Sequence, residues 1–74
     1  MCVGIPAIVL EVREDTAIVE INGVKKEVDC LLISEIKNGD YVIVHAGAII
    51  GKISENEYKE LVKLLKEMEE AVTY

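Results

Sequence analysis

Residues 16–32 read T-A-I-V-E-I-N-G-V-K-K-E-V-D-C-L-L. Ala17, Val19 and Ile21 fall on one side of an extended chain, and Asn22-Gly23 follows at once. Asn-Gly between two apolar runs predicts a β-hairpin, because a type I′ turn needs positive φ at both central residues. On the returning strand Val28, Cys30 and Leu32 share a face, and the plain reading of Cys30 is a small buried core residue.

Working outward, residues 7–12 (A-I-V-L-E-V) form a first strand with Ile8, Leu10 and Val12 on one face, ended by Arg13-Glu14-Asp15. Beyond the hairpin, K-N-G-D at 37–40 is a turn. Y-V-I-V-H-A at 41–46 is a fourth strand, apolar on both faces; Gly47 marks a bend or bulge, and A-I-I-G-K-I at 48–53 is a fifth strand. The period then changes. Ser54 and Glu57 have the spacing of a capping box, with Ile53 and Tyr58 as the hydrophobic staple. Tyr58, Leu61, Val62, Leu65, Met68 and Val72 recur at helical spacing, while Glu55/Lys59 and Lys63/Glu67 stand four apart on the outer face. The helix is predicted over about 55–72, with its apolar stripe packed on the strands and a partner groove as the alternative. The fold class is therefore mainly β: a small five-stranded antiparallel OB-like β-barrel over residues 1–53 and a C-terminal α-helix over 54–74, in a single domain.

Composition narrows the function classes. In 74 residues, 51% are hydrophobic and 30% charged, the profile of a globular chain. Apolar runs such as 7–10 are far short of the ~20 residues that cross a bilayer. Glu11, Arg13, Glu14 and Asp15 come too early for a signal peptide. A cytoplasmic protein is expected, with no membrane partner and with Cys2 and Cys30 as free thiols. A net charge of -6 disfavours a phosphate backbone as ligand, since such binding rests on Lys and Arg.

There is no phosphate-cradling Gly-rich loop, C-x-x-C, H-E-x-x-H or serine-nucleophile motif, and no organic cofactor is expected. What chemistry there is gathers at the start, M-C-V-G-I-P, and at the single histidine, His45. If Met1 is removed, Cys2 becomes the N-terminal residue, and its thiolate, alone or with the α-amine, is a ligand for a soft, strongly bound metal centre. One cysteine cannot close a tetrahedral site. Such a site, with at most His45 beside it, suits transient carriage shared with a partner; equally, Cys2 is an incidental residue at a chain end. His45, beside Tyr41 and Ile43 on its strand, is either a hydrogen-bonded structural residue or a supporting ligand. Gly4 relieves crowding next to Cys2, Pro6 fixes φ at the strand edge, and together they aim the terminus.

The opening M-C-V-G-I-P resembles the M-C-x-[GA]-x-P signature of the HypC/HupF hydrogenase-assembly chaperones, and the likeness runs through N-G-V-K-K-E-V-D and G-D-Y-V-I-V-H-A-G to the terminal helix. The resemblance implies a non-enzymatic chaperone of [NiFe]-hydrogenase maturation. Its cargo would be iron, carried transiently as an Fe(CN)2CO unit. Its partners would be HypD, the hydrogenase large-subunit precursor and, through the HypD complex, HypE. By position Cys2 would be the iron ligand, His45 would support it, and Cys2, Val3, Gly4, Ile5 and Pro6 would form the partner contact. Two residues depart from the family pattern, Ala7 for Gly and Ala48 for Phe, which bears on the shape of the partner surface. Two other classes remain: an OB-like nucleic-acid-binding module, which the chain's three Tyr, absent Phe and Trp, and 14 acids against 8 bases disfavour, and a purely structural protein-interaction domain with an idle Cys2.

Overall fold

The computed structural model describes residues 4–71, with side chains described as far as residue 65. Five strands, β1 (Ile5–Val12), β2 (Thr16–Ile21), β3 (Val24–Asp29), β4 (Tyr41–His45) and β5 (Ala48–Ile53), precede one helix, α1 (Glu55–Ala71). The strands close into a barrel in the order β1-β2-β3-β5-β4, the expected OB-like arrangement. It is mixed rather than wholly antiparallel, because β3 meets β5 in parallel at Asp29 and Ala48. The order explains this. β4 and β5 form a hairpin and β4 runs antiparallel to β1, which leaves β5 pointing the same way as β3 when the ring closes.

The Asn22-Gly23 hairpin forms as its sequence dictates. Ile21 pairs with Val24, and the two intervening residues take φ of 53° and 82°. The second hairpin repeats this geometry: His45 pairs with Ala48, while Ala46 and Gly47 take φ of 54° and 79°. Ala46 is thus a turn residue and not, as expected, the end of the fourth strand. Alanine in the left-handed region costs about 1–2 kcal/mol, because its Cβ crowds the backbone. Ala46→Asn, which supplies the preferred Asn-Gly pair, is therefore expected to raise stability by about 1 kcal/mol, read as a higher denaturant midpoint at unchanged slope.

β1 serves two neighbours. Its first half pairs with β4, from Ile5 with Val44 to Ile8 with Tyr41, and the register against β2 shifts between Val9 and Glu11. That bulge places one extra residue, Leu10, in β1 and turns over the alternation. The expected shared face of Ile8, Leu10 and Val12 therefore does not exist: Ile8 pairs with Glu20, whereas Val12 pairs with the fully buried Ala17. The inward residues Ala7 and Val9 join Ala17, Val19, Val28, Cys30, Val42, Val44 and Ile49 in an all-aliphatic core closed by one thiol. Cys30 is buried as expected.

Leu32 does not share the face of Val28 and Cys30. β3 ends at Asp29, and Leu31 and Leu32 lie in a turn, 66% and 71% exposed. The Asp29 carboxylate causes the break by accepting the Leu31 N–H at 2.7 Å, an Asx turn that competes with continued ladder pairing.

The 37–40 turn locks the crossing segment to the barrel. Lys37 N–H donates to Asp40 Oδ2 (2.9 Å), Gly39 N–H to the Val9 carbonyl (2.7 Å) and Val9 N–H to the Asp40 carbonyl (2.9 Å). Lys52 on β5 reaches Asp40 Oδ2 at 3.3 Å and the Glu35 carbonyl at 2.9 Å. The Lys37 backbone N–H, with Lys52 and the Lys37 charge adding to it, holds the Asp40 carboxyl below the ordinary 3.8 against an opposing desolvation. A depressed folded-state pKa stabilises the fold above the unfolded value and ceases to do so as pH falls through the folded one. Asp40→Asn is accordingly expected to flatten the loss of stability below about pH 4, measured by urea unfolding across that range.

The helix begins as written. Glu57 N–H donates to Ser54 Oγ (3.1 Å), Ser54 N–H donates to Glu57 Oε1 (2.9 Å), and Lys59 pairs with Glu55 at 3.3 Å. The described part of its stripe packs on the barrel, while Leu64 lies off the stripe. Tyr58, Leu61, Val62 and Leu65 are half-buried, Leu64 is 53% exposed, and the contacts are with β1 and β4. Val72, the Met68 side chain and the Lys63/Glu67 pair lie outside what is described. No helix among the described residues is long and apolar enough to cross a membrane.

Candidate functional site

The site is built on the outer face of the β1–β4 pair. Tyr41, Ile43 and His45 alternate along β4, and Pro6 and Ile8 stand opposite Ile43 and Tyr41. The Tyr41 end is closed by α1: the Tyr41 and Tyr58 rings lie 4.7 Å apart at 36°. Burial pushes the Tyr58 phenol up, with Glu20 and Tyr41 adding to it.

Gly4 immediately precedes Ile5, the first paired residue of β1, which stands opposite Val44, next to His45 at the end of β4. The fit there is close. A Cβ built on Gly4 would overlap Ile43 Cγ2 and stand 3.4 Å from Ile43 Cβ and 3.7 Å from the Val44 carbonyl oxygen. The glycine is needed for approach rather than for a positive φ, since its φ lies outside that region. Pro6 is buried beside it, at a point where β1 has β4 on one edge and has not yet met β2, whose pairing starts at Ile8 and Glu20. A residue without an N–H is tolerated at such an unpaired edge. Ile5 is 42% exposed at the barrel mouth.

Of the expected site residues, Gly4, Ile5, Pro6 and His45 are thus brought to one corner, while Cys2 and Val3 lie outside the described residues. Two peptide units separate Cys2 from Gly4, so their Cα atoms are at most ~7 Å apart. Among the described residues no group of three or more His, Cys, Asp or Glu is arranged to hold a metal ion.

Ile43 escaped the sequence reading, because a β-branched residue on a strand that is apolar on both faces carries no mark of being the wall against which a glycine closes. The Ala46-Gly47 turn had a signal: Gly in second place between two apolar runs, as in Asn22-Gly23.

The HupF/HypC family model matches residues 1–65, which take in the N-terminal motif and every strand of the barrel. The chain belongs to the HupF/HypC family. It is 40% identical to the hydrogenase maturation factor HypC of Cupriavidus necator over 93% of this chain and 78% of that protein. Hydrogenase maturation factor HybG of Escherichia coli is 38% identical, over 99% of this chain and 98% of its own. The HypC of Rhizobium leguminosarum, also 38% identical, covers 90% and 91%. The two residues expected to bear on the partner surface take separate places. Ala7 is fully buried opposite Val42, so its methyl group fills core and not partner surface, whereas Ala48 is half-buried beside the His45 turn.

Proposed function

We propose that this protein is a non-enzymatic chaperone of [NiFe]-hydrogenase maturation, which binds HypD and the hydrogenase large-subunit precursor and carries an Fe(CN)2CO unit on Cys2. The observation that supports the reading is the close approach of Gly4 to Ile43, on the strand that ends in His45, in a chain whose family match takes in the M-C-V-G-I-P motif. HypE is reached through the HypD complex.

The chemistry follows from using a single thiol. A cysteine is only a few per cent thiolate at neutral pH, and iron binding releases the proton because the thiolate is the ligand. One protein ligand leaves the remaining positions on the iron to the cyanides, the carbonyl and the partner. The cargo therefore leaves by exchange of one sulfur bond, which suits handover better than storage. His45, at the end of β4, supports the iron unit by hydrogen bonding. The barrel holds the terminus and the partner completes the coordination.

The test is intact mass, to show loss of Met1, followed by co-purification of the unaltered and Cys2→Ala chains with HypD and the large-subunit precursor. Iron and the infrared cyanide and carbonyl bands are recorded on each complex. The unaltered chain is expected to carry the bands. Cys2→Ala is expected to lose them, with the partners, at an unchanged melting temperature. A Cys2→Ala chain that keeps partners, iron and bands would sink the reading.

A further inference from the structure

Leu31 and Leu32 stand out among the described side chains: they are adjacent and are the two most exposed large apolar residues, at 66% and 71%. They are not on a loose loop. Cys30, before them, is a buried core residue whose N–H donates to the Asp15 carbonyl at 2.9 Å. Leu31 N–H is held by Asp29 Oδ1, and Ile33 and Ile36 pack back onto the core. The backbone is thus pinned on both sides, and the two leucines are presented outward at little further cost in ordering.

Their surroundings specify a partner. Asp29 pairs with Thr16, whose hydroxyl donates to Glu27, and Arg13 lies between Glu11 and Glu27 at 3.2 and 3.7 Å. Glu14 and Asp15 complete the turn that touches Cys30. Asp29 and Asp15 therefore adjoin the leucines, and Glu14, Glu11 and Glu27 stand in the neighbouring turn and strands against one Arg13, on a chain whose net charge is -6. Such a field repels a second copy and an anionic lipid surface, and draws in a basic one. The location matters too: Asp29 N–H donates to the Gly47 carbonyl at 2.9 Å, so the pair adjoins the turn that follows His45.

We infer that Leu31 and Leu32 are the apolar anchor of a second docking surface, received by an apolar pocket with a Lys/Arg rim on the same protein that engages the N-terminal corner. The inference rests on the chaperone reading and identifies HypD as that protein.

The test uses purified HypD as probe and calorimetry at low and high salt, with sedimentation of the chain alone. The variant L31S/L32S is expected to keep its melting curve and to bind HypD about 30-fold more weakly, as the loss of a central apolar anchor does. E14K/D15K is expected to slow association and to flatten its salt dependence. Equal affinity of L31S/L32S and the unaltered chain overturns the inference and leaves the chaperone reading standing, as does a self-association that only L31S/L32S abolishes. If the unaltered chain fails to bind HypD at all, the chaperone reading falls and the inference with it.

Discussion

Gly4→Val is expected to detach the segment that leads to Cys2 and, with it, partner binding, while most of the barrel survives. The side chain would enter space that Ile43 Cγ2 already fills, and Ile43 is β-branched, so its methyl groups have few other rotamers to take. Overpacking of this sort costs about 1–3 kcal/mol when the neighbours must move. Here the cheapest response is for residue 4 to lift away from β4, because it precedes the first residue of β1 and no ladder pairing holds it. Function should therefore suffer more than stability. Ile43→Ala removes the obstructing methyl group, so the double variant should regain binding that Gly4→Val loses, with a coupling of about 0.5–3 kcal/mol in a double-mutant cycle. Binding to HypD and thermal unfolding, measured on the four chains, decide this. Gly4→Val with normal binding would show that closeness to Ile43 is dispensable.

The largest loss of stability is expected from Ile49→Ala. Ile49 is fully buried, pairs with Val44, and is the largest side chain at the centre of a core that contains no aromatic ring. Truncating a buried isoleucine costs about 2–5 kcal/mol, the upper part of that range applying where the cavity cannot collapse. A closed ring of hydrogen-bonded strands resists collapse, which favours the upper part. Set against the roughly 4–11 kcal/mol that a chain of 74 residues commands in total, this leaves a protein near its folding threshold. Urea unfolding with an unchanged m-value and a much lower midpoint is the expected signature. A loss below 1 kcal/mol would mean that the barrel is far more plastic than its closure suggests.

Much of this molecule is legible in its sequence because its local signals agree with its fold. Asn22-Gly23 writes one hairpin, Ser54 and Glu57 write the start of the helix, and Cys30 reads as core. Legibility ends where tertiary partners overrule period. The alternation in β1 predicts a single face for Ile8, Leu10 and Val12, but serving both β4 and β2 demands a bulge at Leu10 that no residue type announces. Leu32 extends an apolar alternation on paper, yet the Asp29 carboxylate ends the strand before it. The parallel contact of β3 with β5 follows only from closure of the ring. At the candidate site, Gly4, Pro6 and His45 were visible as residue types in a motif. That Gly4 closes against Ile43, on the strand that ends in His45, depends on a register between distant parts of the chain.

That register bears on the order of assembly. During synthesis the motif-bearing end emerges first, yet the strand against which it lies, β4, is made only after the whole β2–β3 hairpin and the segment that follows it. Contacts between residues so far apart along the chain close late, since loop entropy is spent before they reward it. The Gly4 corner thus comes into being only once β4 has docked on β1, so a copy whose fold stops short of that pairing lacks it. On the proposed function, competence to load cargo would in this way be tied to the integrity of the fold, with no separate inspection step.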